Sequence, residues 1–252
     1  MFNRLITTIL PIILFVAWEI LIRWPSAFFY VFFTVVILSL SATLRLSDFR
    51  IKRKDTWLLL APIILLVIFN TIFLLFLNNI WLQQAVALIM AVACYYFLRY
   101  LYSFLHQITA YKPLSLETSS TYFIIVSYLF LGISIYGFMN FLNTRLWYLA
   151  IILVAVTFLS SYQIFWINKI NDKQNLFASI LLSMLMVEFF WSVSFFPVSH
   201  FISGLGLAII YYVIINLSIL YFLEKIDKKT VRMYLTIGLS CLFIILLSAR
   251  WL

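Results

Sequence analysis

The chain has 252 residues, of which 66% are hydrophobic, 19% aromatic and only 10% charged. A mean hydropathy of +1.13 excludes an ordinary soluble domain, which is about half apolar, because only lipid covers such an excess. The net charge of +9 does not point to nucleic acid, since the basic residues sit in short segments between apolar stretches, where topology signals belong.

In chain order, nine transmembrane spans are expected: Leu5–Ile22, Ala27–Leu44, Trp57–Leu77, Ile80–Leu101, Thr121–Leu142, Leu146–Trp166, Leu176–Val198, Phe201–Leu223 and Val231–Ser248. Each is supported by about 18 or more apolar residues, enough for one helical crossing. Two longer apolar stretches must be split. Asn78-Asn79 divides the first, and Phe196-Pro197-Val198-Ser199-His200 the second, because proline removes a donor and biases its predecessor away from helix. Asp55 is expected to cap the third span and Asn175 the seventh. Five Gly and five Pro leave little room for linkers. The expected fold is therefore all-α: a polytopic membrane helix bundle forming one transmembrane domain over residues 1–252, with no soluble domain.

With the N-terminus inside, fourteen of the 17 Lys and Arg fall on the inner side, leaving Arg23, Arg145 and Arg250 outside. That asymmetry predicts an internal N-terminus and an external C-terminus. The opening Arg4 and apolar run have signal-peptide character. Trp18 and Glu19 stand where a cleavage site needs small residues, so an uncleaved first span is expected. Glu19 and Arg23 have the spacing and order of a helical ion pair. The basic loop at residues 45–55 is expected to anchor to anionic lipid, at ~1 kcal/mol per basic residue. Basic loops recur at nearly even spacing, and Ile170-Asn171-Asp172-Lys173 resembles Ile226-Asp227-Lys228, a weak sign of repeated helical hairpins.

Glu188 is the polar group that most needs explaining. Counted from Asn175 it sits ~20 Å into a hydrocarbon layer ~30 Å thick. Its own helix offers no cation, and Ser192, Phe195 and Ser199 follow it along a weakly polar stripe. An unpaired carboxylate toward lipid costs several kcal/mol, so the stripe is expected to face other helices. There Glu188 either carries its proton or meets a donor. As a packing contact, its truncation to Ala would destabilise the fold; as a proton or cation site, it would fail on substitution by Gln. Asn70 lies at nearly the same depth, and Gln83 and Gln84 begin the fourth span. These four residues form the candidate intramembrane polar site.

Catalytic and phosphate-binding motifs are absent, so no enzyme and no cofactor are expected. Cys94 and Cys241 lie in separate apolar spans, and His106 and His200 fall at opposite faces, so no metal centre is expected either. Two functions fit. The first is a non-catalytic cell-membrane subunit that packs with or assembles a membrane protein partner. The alternative is a small-solute or proton-coupled transporter using Glu188. The topology has a direct test: a reporter active only in the cytoplasm, fused after Leu252, should be silent. Strong cytoplasmic activity there would require an even number of spans.

Overall fold

A backbone inside lipid must satisfy its own N–H and C=O groups, so each apolar stretch has one economical solution, the helix. The computed structural model describes residues 2–47, 54–106 and 115–248, with side chains from residue 5 onward. Among them, nine helices are long and apolar enough to cross a membrane, and there is no strand. They are α1 (Phe2–Arg23), α2 (Phe28–Leu46), α3 (Lys54–Phe73), α4 (Ile80–His106), α5 (Ser115–Leu142), α6 (Leu146–Ile167), α7 (Asp172–Ser194), α8 (His200–Phe222) and α9 (Lys228–Ser248). The protein is an all-α, multi-pass membrane protein, as its composition requires. Most of the basic loop 45–55, together with Lys112, Arg250 and Trp251, lies outside the described residues.

Both expected breaks are present. After a short 3-10 turn at Leu74–Phe76, Asn79 starts α4, its side-chain oxygen accepting from Trp81 N at 2.9 Å. Pro197 falls between α7 and α8. The ion pair also forms, with Arg23 Nε 3.8 Å from Glu19 Oε2. One cap is misplaced. Asn171, not Asn175, opens α7, accepting from Lys173 N at 3.3 Å, so the helix starts four residues earlier and ends at Ser194. Asn175 is then one turn inside, fully buried, and donates to Tyr162 O of α6 at 3.1 Å. An Asn in an αα-hairpin can bind its own helix end or the facing helix, and here the neighbouring Asn171 takes the first role. Asp55 lies in the first turn of α3.

All five glycines sit inside helices, so none is left to end one. Left-handed backbone instead falls on Asn143 (φ 50°), Lys169 (φ 60°) and Glu224 (φ 55°). The α6–α7 and α8–α9 hairpins close alike: Ile170 N donates to Phe165 O at 3.1 Å, and Lys225 N to Leu220 O at 2.9 Å. These are the long capping bonds of the Schellman motif. The two loops that resemble each other in sequence thus share a turn geometry.

The residues divide into two compact units, 1–127 and 128–252. In the first, α1 packs most extensively on α4, α2 bridges α1 and α3, and Phe97 of α4 stacks on Phe123 at 4.6 Å. The buried stripe of α1 runs Thr7, Leu10, Leu14, Trp18 and Leu21, a three- and four-residue spacing. The buried face of α4 begins with the small residues Ala87, Ala91 and Cys94, which allow close helix approach. Trp18 Nε1 donates to Thr71 Oγ1 of α3 at 3.0 Å.

In the second unit, α6 packs on α7, α7 on α8 and α8 on α9. The residues of α5 from 128 onward hold it together through Tyr128, Gly132 and Tyr136, spaced four apart on one face. Tyr128 stacks on Tyr211 of α8 at 3.9 Å and shares a 3.0 Å hydrogen bond with Thr157 of α6. Tyr136 OH donates to Phe190 O of α7 at 3.0 Å. Between them Gly132 meets Gly204 of α8 backbone to backbone. A Cβ on Gly204 would fall 2.4 Å from Ile133 N and 2.5 Å from Ile133 Cα. The expected small pair Gly204 and Ala208 is thus a contact surface, with Gly132 as its unforeseen partner.

Gly206 provides the control for this contact, because a Cβ there meets only Leu242 Cδ2, at an ordinary 3.7 Å. Gly204→Ala is expected to destabilise by ~1–3 kcal/mol or more, since rigid backbone must move. Gly206→Ala should be neutral or slightly stabilising, Ala being the better helix former by about 1 kcal/mol. Thermal unfolding of the two purified variants in detergent checks the order.

Candidate functional site

The four candidate residues are shared between the two units. Asn70, Gln83 and Gln84 belong to the first unit and Glu188 to the second.

Gln83 is structural. Its Nε2 donates to Leu74 O at 3.1 Å and Leu77 O at 2.7 Å, carbonyls in and just past the 3-10 turn that follows α3. Gln84 is half-buried. Asn70 is fully buried in α3, and neither its Nδ2 nor its Oδ1 has a hydrogen-bond partner. Its neighbour Thr71 differs, donating to Val67 O at 2.7 Å while accepting from Trp18.

Glu188 stands otherwise than expected. Along α7, Asn175, Ser179, Leu182, Ser183, Met186 and Phe190 are buried. Their polar members interlock: Ser179 Oγ donates to Asn175 Oδ1 at 3.2 Å, and Ser183 Oγ to Ser179 O at 2.6 Å. That is the polar stripe facing other helices, and its four-residue spacing was visible in the sequence. Phe190 is held inward by the Tyr136 bond to its carbonyl and by a ring contact at 5.2 Å. Two residues back is ~200° around a helix, so Glu188 is turned outward. Glu188, Ser192 and Phe195 are all exposed and Ser199 is half-buried. The expectation that this stripe packs against other helices is therefore corrected.

Among the described residues no donor reaches the Glu188 carboxylate; Ser192 Oγ bonds the Glu188 backbone oxygen at 2.9 Å instead. Truncating Glu188 thus removes no described hydrogen bond or ion pair of its side chain, and the destabilisation expected of a buried packing contact loses its basis. The side chain also has a direction. Helical side chains lean toward the N-terminus of their helix. Glu188 lies six residues before the C-terminal end of α7, so its carboxylate leans away from the nearer end. Long side chains reach interfacial water only when they lean toward it.

Phe177, Leu181, Met184, Glu188, Trp191 and Phe195 line one exposed face at alternating spacings of four and three. Phe177 and Leu181 also wall an apolar groove of about 380 Å³ with Ile214, Leu217 and Tyr221 of α8 and its C-terminal turn. No group of three or more His, Cys, Asp or Glu that could hold a metal occurs among the described residues.

The two buried amides of the first unit make opposite predictions. Asn70 carries the desolvation cost of a carboxamide with no compensating bond among the described residues, so Asn70→Leu, with the same number and branching of side-chain heavy atoms, should leave the unfolding midpoint unchanged or raise it. Gln83→Leu removes the donor shared by two carbonyls and should lower stability by ~1–3 kcal/mol. Thermal unfolding in detergent checks both signs.

A family model described as "Protein of unknown function (DUF5656)" matches residues 117–248. That is more than half of the chain, which therefore belongs to this family. The match runs from α5 to α9, so it contains Glu188 and the Gly132–Gly204 crossing and leaves out Asn70, Gln83 and Gln84. No curated protein and no solved structure matches the chain.

Proposed function

We propose that the protein is a non-catalytic subunit of a cell-membrane assembly, with its N-terminus inside, and that the exposed face of α7 is where it joins another membrane protein. One observation carries this reading: a carboxylate within an apolar crossing lies on the face of α7 turned away from the helices of its own unit, exposed and with no described hydrogen bond or ion pair. Apolar exposure would say nothing, because lipid is as apolar as leucine. A carboxylate is different, since leaving it toward hydrocarbon costs several kcal/mol and a protein surface supplies the missing donor.

The transporter reading has less behind it. Coupling sites in transporters are typically built where membrane helices break, whereas α7 runs unbroken through Glu188 with no Gly or Pro beside it. The basic loop 45–55 fits an anchor to anionic lipid on the inner side.

The test is native electrophoresis of the tagged full chain, extracted in mild detergent from its own membranes. Wild type is expected in a species well above its own 29.7 kDa plus the detergent micelle. Glu188→Leu should run as the free chain, while its purified form unfolds within ~0.5 kcal/mol of wild type, as a substitution on an uncovered face does. Wild type running free, or a variant that keeps the complex, would sink the proposal.

A further inference from the structure

The chemistry of the partner follows from the geometry of the same face, and this inference rests on the assembly reading above. The exposed residues Phe177, Leu181, Met184, Glu188, Trp191 and Phe195 are separated by four, three, four, three and four positions. A mean spacing near 3.5 is the a/d pattern of a helix seam, which takes a second helix crossing at about +20°. Glu188 occupies an inner position of that seam, with apolar residues on both sides. Whatever helix lies there must meet the carboxylate within the seam itself.

We infer that the seam receives one transmembrane helix of another protein, carrying a Lys or Arg side chain level with Glu188. Three other occupants fit less well. A second copy inserted in the same orientation would meet this face across a two-fold axis along the membrane normal. That puts Glu188 opposite Glu188, where the two carboxylates repel unless one of them takes up a proton. A wholly apolar helix would bury the carboxylate unpaired. Lipid headgroups lie beyond its reach, since the side chain leans from the nearer helix end toward the middle of the crossing. A basic side chain gives a charge-assisted hydrogen bond, and its long apolar stem packs beside Met184 and Trp191.

The test uses the full chain in lipid vesicles with synthetic leucine-rich helices long enough to span, and reads association by energy transfer between labels. One helix carries a single lysine six residues from one end, matching the place of Glu188 relative to Ser194. Others carry leucine or glutamine at that position. The lysine helix is expected to associate about tenfold more tightly than the leucine helix. That advantage should vanish in Glu188→Leu and shrink in Glu188→Gln. Equal association of the lysine and leucine helices overturns the inference, as does an equal gain with glutamine. So does stronger self-association of the labelled chain that depends on Glu188. If the native complex still depends on Glu188 while lysine gives no advantage, the assembly reading stands and only the basic partner falls. If neither effect depends on Glu188, both fall.

Discussion

The second unit depends on one close approach, the backbone contact between Gly132 of α5 and Gly204 of α8. Between membrane helices the gain from burying apolar surface is small, because lipid already solvates it, so tight packing and hydrogen bonds must hold them. Tight packing is what a missing Cβ permits, and here any Cβ on Gly204 would sit inside the α5 backbone. That proximity brings the rings of Tyr128 and Tyr211 to 3.9 Å. From Tyr211, the contact reaches on to Ser161 of α6 at 3.5 Å. Hydrogen bonds of this kind are worth ~0.6–2 kcal/mol each in a membrane. They specify which helices meet more than they drive the meeting.

A rotational consequence follows one turn further along α5. Tyr136 reaches the carbonyl of Phe190 and fixes which side of α7 is inward. The inward side is lined with Ser and Asn that bond among themselves and to α6. Everything on the opposite side, Glu188 included, is then presented outward. The exposure of the carboxylate is thus the far end of a chain of contacts beginning at two glycines, and it cannot be relieved by turning α7 without breaking them.

These links explain what the sequence did and did not disclose. Span number and the two breaks were legible because hydropathy, Asn78-Asn79 and Pro197 act locally. So was the pairing of Glu19 with Arg23, which needs only helical spacing. The facing of α7 was not. In a soluble protein the apolar side of a helix is the inner side, but in lipid both sides are apolar and that guide disappears. The stripe that follows Glu188 looked like an inner face because it contained Ser192 and Ser199. The true inner face, Asn175, Ser179 and Ser183, has the same spacing and greater polarity. Likewise Tyr128, Gly132 and Tyr136 were visible at intervals of four, but their significance needs the partner Gly204, 72 residues after Gly132. The local role of Gln83 was hidden for another reason: a candidate site residue and a cap for a neighbouring helix end have the same chemistry, and only the position of the Leu74 and Leu77 carbonyls reveals the second.

The membrane polar groups sort by whether their own helix can satisfy them. A hydroxyl or a carboxamide brings a donor, and a helix carbonyl has a second lone pair to accept it. Thr71 uses Val67, Ser183 uses Ser179, Ser192 uses Glu188 and Asn216 uses Tyr212, each four residues back. Such groups can face lipid or protein at little cost, so their exposure means little. A carboxylate without a proton only accepts, and in the body of a helix every backbone N–H is already engaged. In that form Glu188 is the side chain in the membrane part of α7 that its own helix is unable to serve. Its donor must come from outside that helix, and the contacts fixing the rotation of α7 turn it away from the helices it already touches. The assembly proposed above would supply that donor.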